Sequence, residues 1–174
     1  MQALCATSVN TIRLGVYRSV VDNEPKIIGG CLKVGRKGSI IDNNNAGGML
    51  VGVDMQTGEL GKYVLDVDGR RFDSLNGVNF AMASLQIPHW DEVLQLAKLV
   101  SRKVLCHRLL TLDIALRDSG KPALIEYNIE GIAFYIFMLV GQLPFGEYTD
   151  EIINYCKDHR HQAKEFVFFS HHTL

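Results

Sequence analysis

The sequence predicts an α+β fold, a mainly antiparallel sheet with helices packed on one face. Three observations predict it. Apolar, β-branched runs come in adjacent pairs joined by short polar turns, the pattern of hairpins. Helical periodicity is confined to separate segments away from those pairs. The chain has 16 glycines and only 4 prolines, which suits many tight reversals between strands.

Taken in order, NTIRLGVYRSVV (residues 10–21) reads as a strand, DNEP as a turn, and KIIGGCLKVGRKGSII (26–41) as the return strand. Gly29 and Gly30 mark a place where that strand can bulge. DNNNAGG (42–48) is the most loop-like stretch; on composition it reads as a plain connector, though its short polar side chains and glycines would let a ligand approach backbone N–H groups. MLVGVDMQTGELGKYVLDVDG (49–69) is a second hairpin turning at Gln56-Thr57-Gly58. RRFDSLNGVNFAMASLQ (70–86) reads as irregular.

At IPHWDEVLQLAKLVSRKVL the period changes. Val93, Leu96, Ala97, Val100 and Leu105 recur at helical spacing after Pro88, with Lys98, Arg102 and Lys103 toward the end. His89 and Trp90 lie at the start of this helix and read as a surface aromatic packing against the sheet, with a functional role as the alternative. Residues 129–146 read as a short buried helix between loops. TDEIINYCKDHRHQAKEF is a further helix, with Thr149 as its cap and Asp150 and Glu151 in its first turn. His159, His161, His171 and His172 have no ligand-like spacing with carboxylates and read as solvated.

The composition excludes several functions. A length of 174 residues is one domain, or part of a larger one. The net charge of −1 and the absence of a basic patch argue against nucleic acid as a partner. The longest apolar run, 132–140, is too short to span a bilayer. The first residues lack the charged region and long apolar core of a signal peptide. Cys5, Cys31, Cys106 and Cys156 form no C-x-x-C pair and read as reduced cysteines of a cytoplasmic protein.

The chemistry concentrates in RLLTLDIALRDSGKPALIEYN (108–128), a third hairpin turning at Asp118, Gly120 and Pro122. Glu126 and Asn128 are two apart and share a strand face. Asp113 sits about as far before the turn as Glu126 sits after it, so pairing brings it beside them. Three oxygen donors in apolar sequence suit a hard divalent cation.

The spacing Asp113-x12-Glu126-x-Asn128 resembles the metal-binding hairpin of ATP-grasp ligases. SVNTIRLGVY, VGRKGSIIDNNNAGGMLVGVDMQTGEL, IPHWDEV and LTLDIALRDSGKPALIEYN follow one another as in the sugar-transfer-associated ATP-grasp family. The resemblance runs from Ser8 to about Ile153, leaving 154–174 as a C-terminal helix and tail on a single lobe. It implies Mg²⁺ (or Mn²⁺) and ATP as cofactors, with Asp113, Glu126 and Asn128 at metal positions. Arg13 corresponds to an arginine that meets the phosphates or an acyl phosphate; the alternative is a charge at a strand edge paired with an acid. Asp42, Asn43, Gly47 and Gly48 correspond to a loop on the substrate side.

Two departures are visible. The family usually carries Gly-Trp before the first metal acid, where this chain has Thr111 and Leu112. It often carries His-Pro ahead of IPxW, where Ser74 and Leu75 stand. The resemblance also implies that the nucleotide is clamped by a second, N-terminal lobe bearing a lysine and a mobile glycine-rich loop; the chain reads as the C-terminal lobe alone. The expected function is the metal- and phosphate-binding lobe of an ATP-dependent ligase joining a small carboxylate to an amine, in surface-polysaccharide metabolism. The alternative is a truncated, non-catalytic interaction or scaffold protein that keeps the lobe. A sugar transferase is a third reading, carried by the family's name alone.

Overall fold

The computed structural model describes residues 10–35 and 48–161. Seven strands form one antiparallel sheet in the order β5-β4-β3-β2-β1-β8-β9. The strands are β1 (Thr11–Arg18), β2 (Pro25–Val34), β3 (Met49–Val53), β4 (Leu60–Leu65), β5 (Arg71–Phe72), β8 (Leu109–Leu116) and β9 (Pro122–Asn128). The three expected hairpins are its frame: β1–β2, β3–β4 and β8–β9. Two further pairings join them into one sheet: β2 with β3, and β1 with β8, about a hundred residues apart in sequence.

Alternation sorts the side chains. Ile12, Leu14 and Val16 of β1, with Leu32, Val51, Val64, Leu110, Leu112 and Ile114, form the main core. Helix α1 (Trp90–Lys103) lies on this face through Trp90, Val93 and Ala97. At roughly 25 cal/mol per Å² of apolar surface removed from water, this face supplies most of the hydrophobic drive. Trp90 is buried rather than on the surface, and its indole N–H donates to the Met55 carbonyl at 3.1 Å. The helix ends at Lys103, so Leu105 falls beyond it and is exposed.

The expected α+β class and mainly antiparallel sheet are what the structure shows, with the long helix on one face. The five-residue α2 (Tyr135–Leu139) adds a smaller cluster on the other face, where Ile136 and Phe137 meet Cys31, Leu50 and Leu65. The sheet accepts it because its strands carry glycines there. A Cβ on Gly15 would lie 2.9 Å from the Phe137 ring, and one on Gly29 would lie 2.9 Å from Gln142 Oε1. Gln142 caps this contact. Its Nε2 donates to the Gly30 and Val53 carbonyls, and its Oε1 accepts from Gly30 N–H. The glycine-rich part of β2 does bulge, with the register shifting between Gly15 and Val16.

Two expectations change. Residues 70–86 are not wholly irregular: Arg71 and Phe72 extend the sheet, and Ser74–Leu75 (β6) pairs with Val78–Asn79 (β7). Asn76 and Gly77 both have positive φ, the backbone a two-residue hairpin turn demands, and the Asn-Gly dipeptide was its signal. Thr149 is the first residue of α3 (Thr149–Asp158), not its cap. Its hydroxyl donates back to the Gly146 carbonyl at 2.7 Å, in the single 3-10 turn that precedes the helix.

No residue of α3 is buried. The helix is held by Glu151, whose Oε1 accepts from Tyr17 Oη, Ser19 Oγ and Val20 N–H at 2.7–2.8 Å. Among the described residues, no helix is long and apolar enough to cross a membrane.

Candidate functional site

The face opposite α1 carries the polar residues, and strand register puts them together. Asp113 of β8 lies between Arg13 of β1 and Glu126 of β9, each its direct cross-strand partner. Asn128 lies across from Thr111, two residues along on the same face. The β8–β9 ladder shifts just past Asp113, where Ile114 pairs with Leu124. That bulge follows the acid pair, so it leaves Asp113 and Glu126 directly opposed.

Arg13 grips Asp113 with both arms of its fork. Nε donates to Oδ1 at 2.7 Å and Nη2 to Oδ2 at 2.6 Å. Lys33 Nζ donates to the same Oδ2 at 3.0 Å. Arg13 Nη2 also lies 3.7 Å from Glu126 Oε1, and Asn128 Nδ2 donates to that oxygen at 3.3 Å. Burial alone would push the Asp113 carboxyl up. The hydrogen bonds and charge of Arg13, joined by Lys33, outweigh it and hold the carboxyl below its ordinary range. Burial would likewise lower the Arg13 guanidinium, and its bonds to Asp113 overcome this and raise it. Cys31, paired across from Arg13, is fully buried, and burial pushes its thiol up to about 12. A thiol held protonated is no nucleophile.

Four predicted site residues, Arg13, Asp113, Glu126 and Asn128, thus share one face. Asp42, Asn43 and Gly47 lie outside the described residues. Gly48 is buried and leads into β3, whose Met49 and Leu50 pair with Val34 and Lys33. Sequence reasoning missed Lys33. Its signal was a lysine inside an apolar strand, two residues past Cys31 and so on the face of Arg13. Thr111 Oγ1 is buried on this face without a hydrogen-bond partner.

A groove of about 590 Å³ lies elsewhere, at the N-terminus of α1, bounded by Thr57, Gln86, Trp90 and Glu92 among others. None of the predicted site residues lines it. His89 at its edge holds a left-handed backbone, φ 55°, with its ring 3.0 Å from Glu92.

A family model of sugar-transfer-associated ATP-grasp proteins matches residues 1–147. The chain belongs to this family. No curated protein and no solved structure matches it. The ATP-grasp match agrees with the architecture, an α+β fold with an antiparallel sheet of the ligase type.

The ATP-grasp fold implies Mg²⁺ on nucleotide phosphates, and the donor set fits such a cation. Among the described residues no group of three His, Cys, Asp or Glu side chains is placed to hold a metal ion. Two carboxylates and one amide suit a hard cation that takes its remaining ligands from phosphate and water. Among the described residues Asp113 Oδ1 accepts a bond from Arg13 Nε alone, so it keeps acceptor capacity for a cation.

Proposed function

We propose that this chain is the metal- and phosphate-binding lobe of an ATP-dependent ligase that joins a small carboxylate to an amine through an acyl phosphate. One observation carries the reading. A part-buried, doubly hydrogen-bonded Arg13–Asp113 pair stands directly beside an exposed carboxylate, Glu126, on one sheet face.

Arg13 is held rigid by Asp113, so its guanidinium can face phosphoryl oxygens without losing orientation. Glu126, Asn128 and Asp113 would hold Mg²⁺, which supplies neutralisation of phosphate charge. The reaction is in-line attack of the substrate carboxylate on the γ-phosphate, giving acyl phosphate and ADP, followed by displacement of phosphate by the amine. In this reading a nucleotide-clamping lobe completes the adenine site, Asp42, Asn43, Gly47 and Gly48 serve the substrate, and the setting is cytoplasmic surface-polysaccharide metabolism. The Arg13 fork and the exposed acid together supply positioning and charge, which is what phosphoryl transfer asks of a protein.

A non-catalytic scaffold is favoured by one observation, that Asp113 is already balanced by Arg13 and Lys33. Turnover separates the two. With the clamping lobe in place, Mg²⁺-dependent ADP release with a panel of carboxylates and amines should fall about 100-fold or more in Glu126→Gln, the loss of roughly 2.7 kcal/mol of transition-state stabilisation. Full turnover in that variant would remove Glu126 from the site. Inactivity with every pair tried would favour the scaffold.

A further inference from the structure

Lys33 belongs to none of the residues that the sequence marks, yet it reaches the centre of the site. It is 7% exposed. Its Nζ meets Asp113 Oδ2, the oxygen that also takes Arg13 Nη2. An arginine–aspartate fork is already a complete pair. Placing a second cation on the same oxygen adds desolvation and repulsion from Arg13. A planar fork beside a compact ammonium is, on the other hand, the donor arrangement that phosphoryl oxygens take best.

We propose that Lys33 is a phosphate-contacting residue of this site, acting with Arg13 on one phosphoryl group while Asp113 orients both cations. The proposal rests on the phosphate-binding reading given above. It differs from a purely structural lysine in a measurable way. A strut for Asp113 would change stability when removed. A phosphate contact changes affinity for phosphate while the Arg13–Asp113 fork persists.

The test titrates the full 174-residue chain with Mg²⁺-tripolyphosphate and with Mg²⁺-ATP, following backbone amide shifts by NMR. Wild type, Lys33→Met, Lys33→Arg and Glu126→Gln are compared. Methionine keeps the unbranched stem and removes the charge. Tripolyphosphate affinity should fall about tenfold or more in Lys33→Met, the loss of one charge-assisted hydrogen bond. Lys33→Arg should recover most of it, and the melting temperature of Lys33→Met should stay within about 5 °C of wild type.

Unchanged affinity in Lys33→Met overturns the proposal, as does a wild-type chain that binds neither ligand. Loss of the fold in Lys33→Met assigns Lys33 to structural support and also overturns it. Equal affinity for tripolyphosphate and ATP is the result expected where another lobe completes the adenine site. Affinity that falls in Lys33→Met but is untouched in Glu126→Gln leaves Lys33 in place and removes Glu126 from the metal site. Mg²⁺-ATP affinity lost in Glu126→Gln but untouched in Lys33→Met does the reverse.

Discussion

Asp113 and Glu126 face each other across adjacent strands, yet the Asp113 side chain is 4% exposed and that of Glu126 is 55% exposed. Position in the sheet makes the difference. β8 is covered on both sides by neighbours, and β9 is the edge strand. One acid is therefore part of the folded core's charge balance, and the other is open to a ligand.

The two acids should behave oppositely when neutralised. Asp113→Asn leaves Arg13 and Lys33 without their shared carboxylate, and stripping one partner from a buried pair costs about 3–5 kcal/mol. Glu126→Gln touches an exposed edge residue and should change stability by less than about 0.5 kcal/mol. Denaturant unfolding of both variants checks this. Equal losses would show that the exposed acid also holds the fold.

The pH dependence follows from the lowered Asp113 carboxyl. Its folded-state pKa lies below the unfolded value of about 3.9, so the unfolded chain takes up the proton first as pH falls. The stabilisation is complete above that value and is lost as pH falls through the folded pKa. Unfolding free energy should drop as acid is added below about pH 4, and Asp113→Asn should flatten that part of the curve. A wild-type curve parallel to that of the variant would place the acid sensitivity on other groups.

Helix α3 should depend on one carboxylate. None of its residues is buried, and Glu151 collects three donors from the end of β1 and the turn that follows. Glu151→Ala leaves those donors without their acceptor, at a cost of about 1–3 kcal/mol. Amide exchange in 149–158 should speed up, and exchange in β1 and β8 should slow or speed little. Unchanged protection of α3 would mean that the helix is held by something else.

Sequence determined the local pieces of this protein, because they rest on short-range periodicity and turn chemistry. The three hairpins could be read from paired apolar runs and from the turns at Asn23, Gly58 and Gly120, each with positive φ. The face shared by Glu126 and Asn128 followed from their two-residue spacing. The Asn76-Gly77 hairpin is equally legible in its dipeptide, while its strands, two residues long, carry no periodicity of their own.

Only the tertiary structure decided which acid is buried. Asp113 and Glu126 sit in similar apolar sequence. Their environments differ because β1 pairs with β8 and leaves β9 at the edge, a choice made between segments about a hundred residues apart. The same pairing brings Lys33 to Asp113, a contact between β2 and β8 that no local pattern contains. Trp90 was displaced from surface to core for the same reason. Burial depends on what the sheet's far side needs to cover it, and periodicity along one segment does not carry that information.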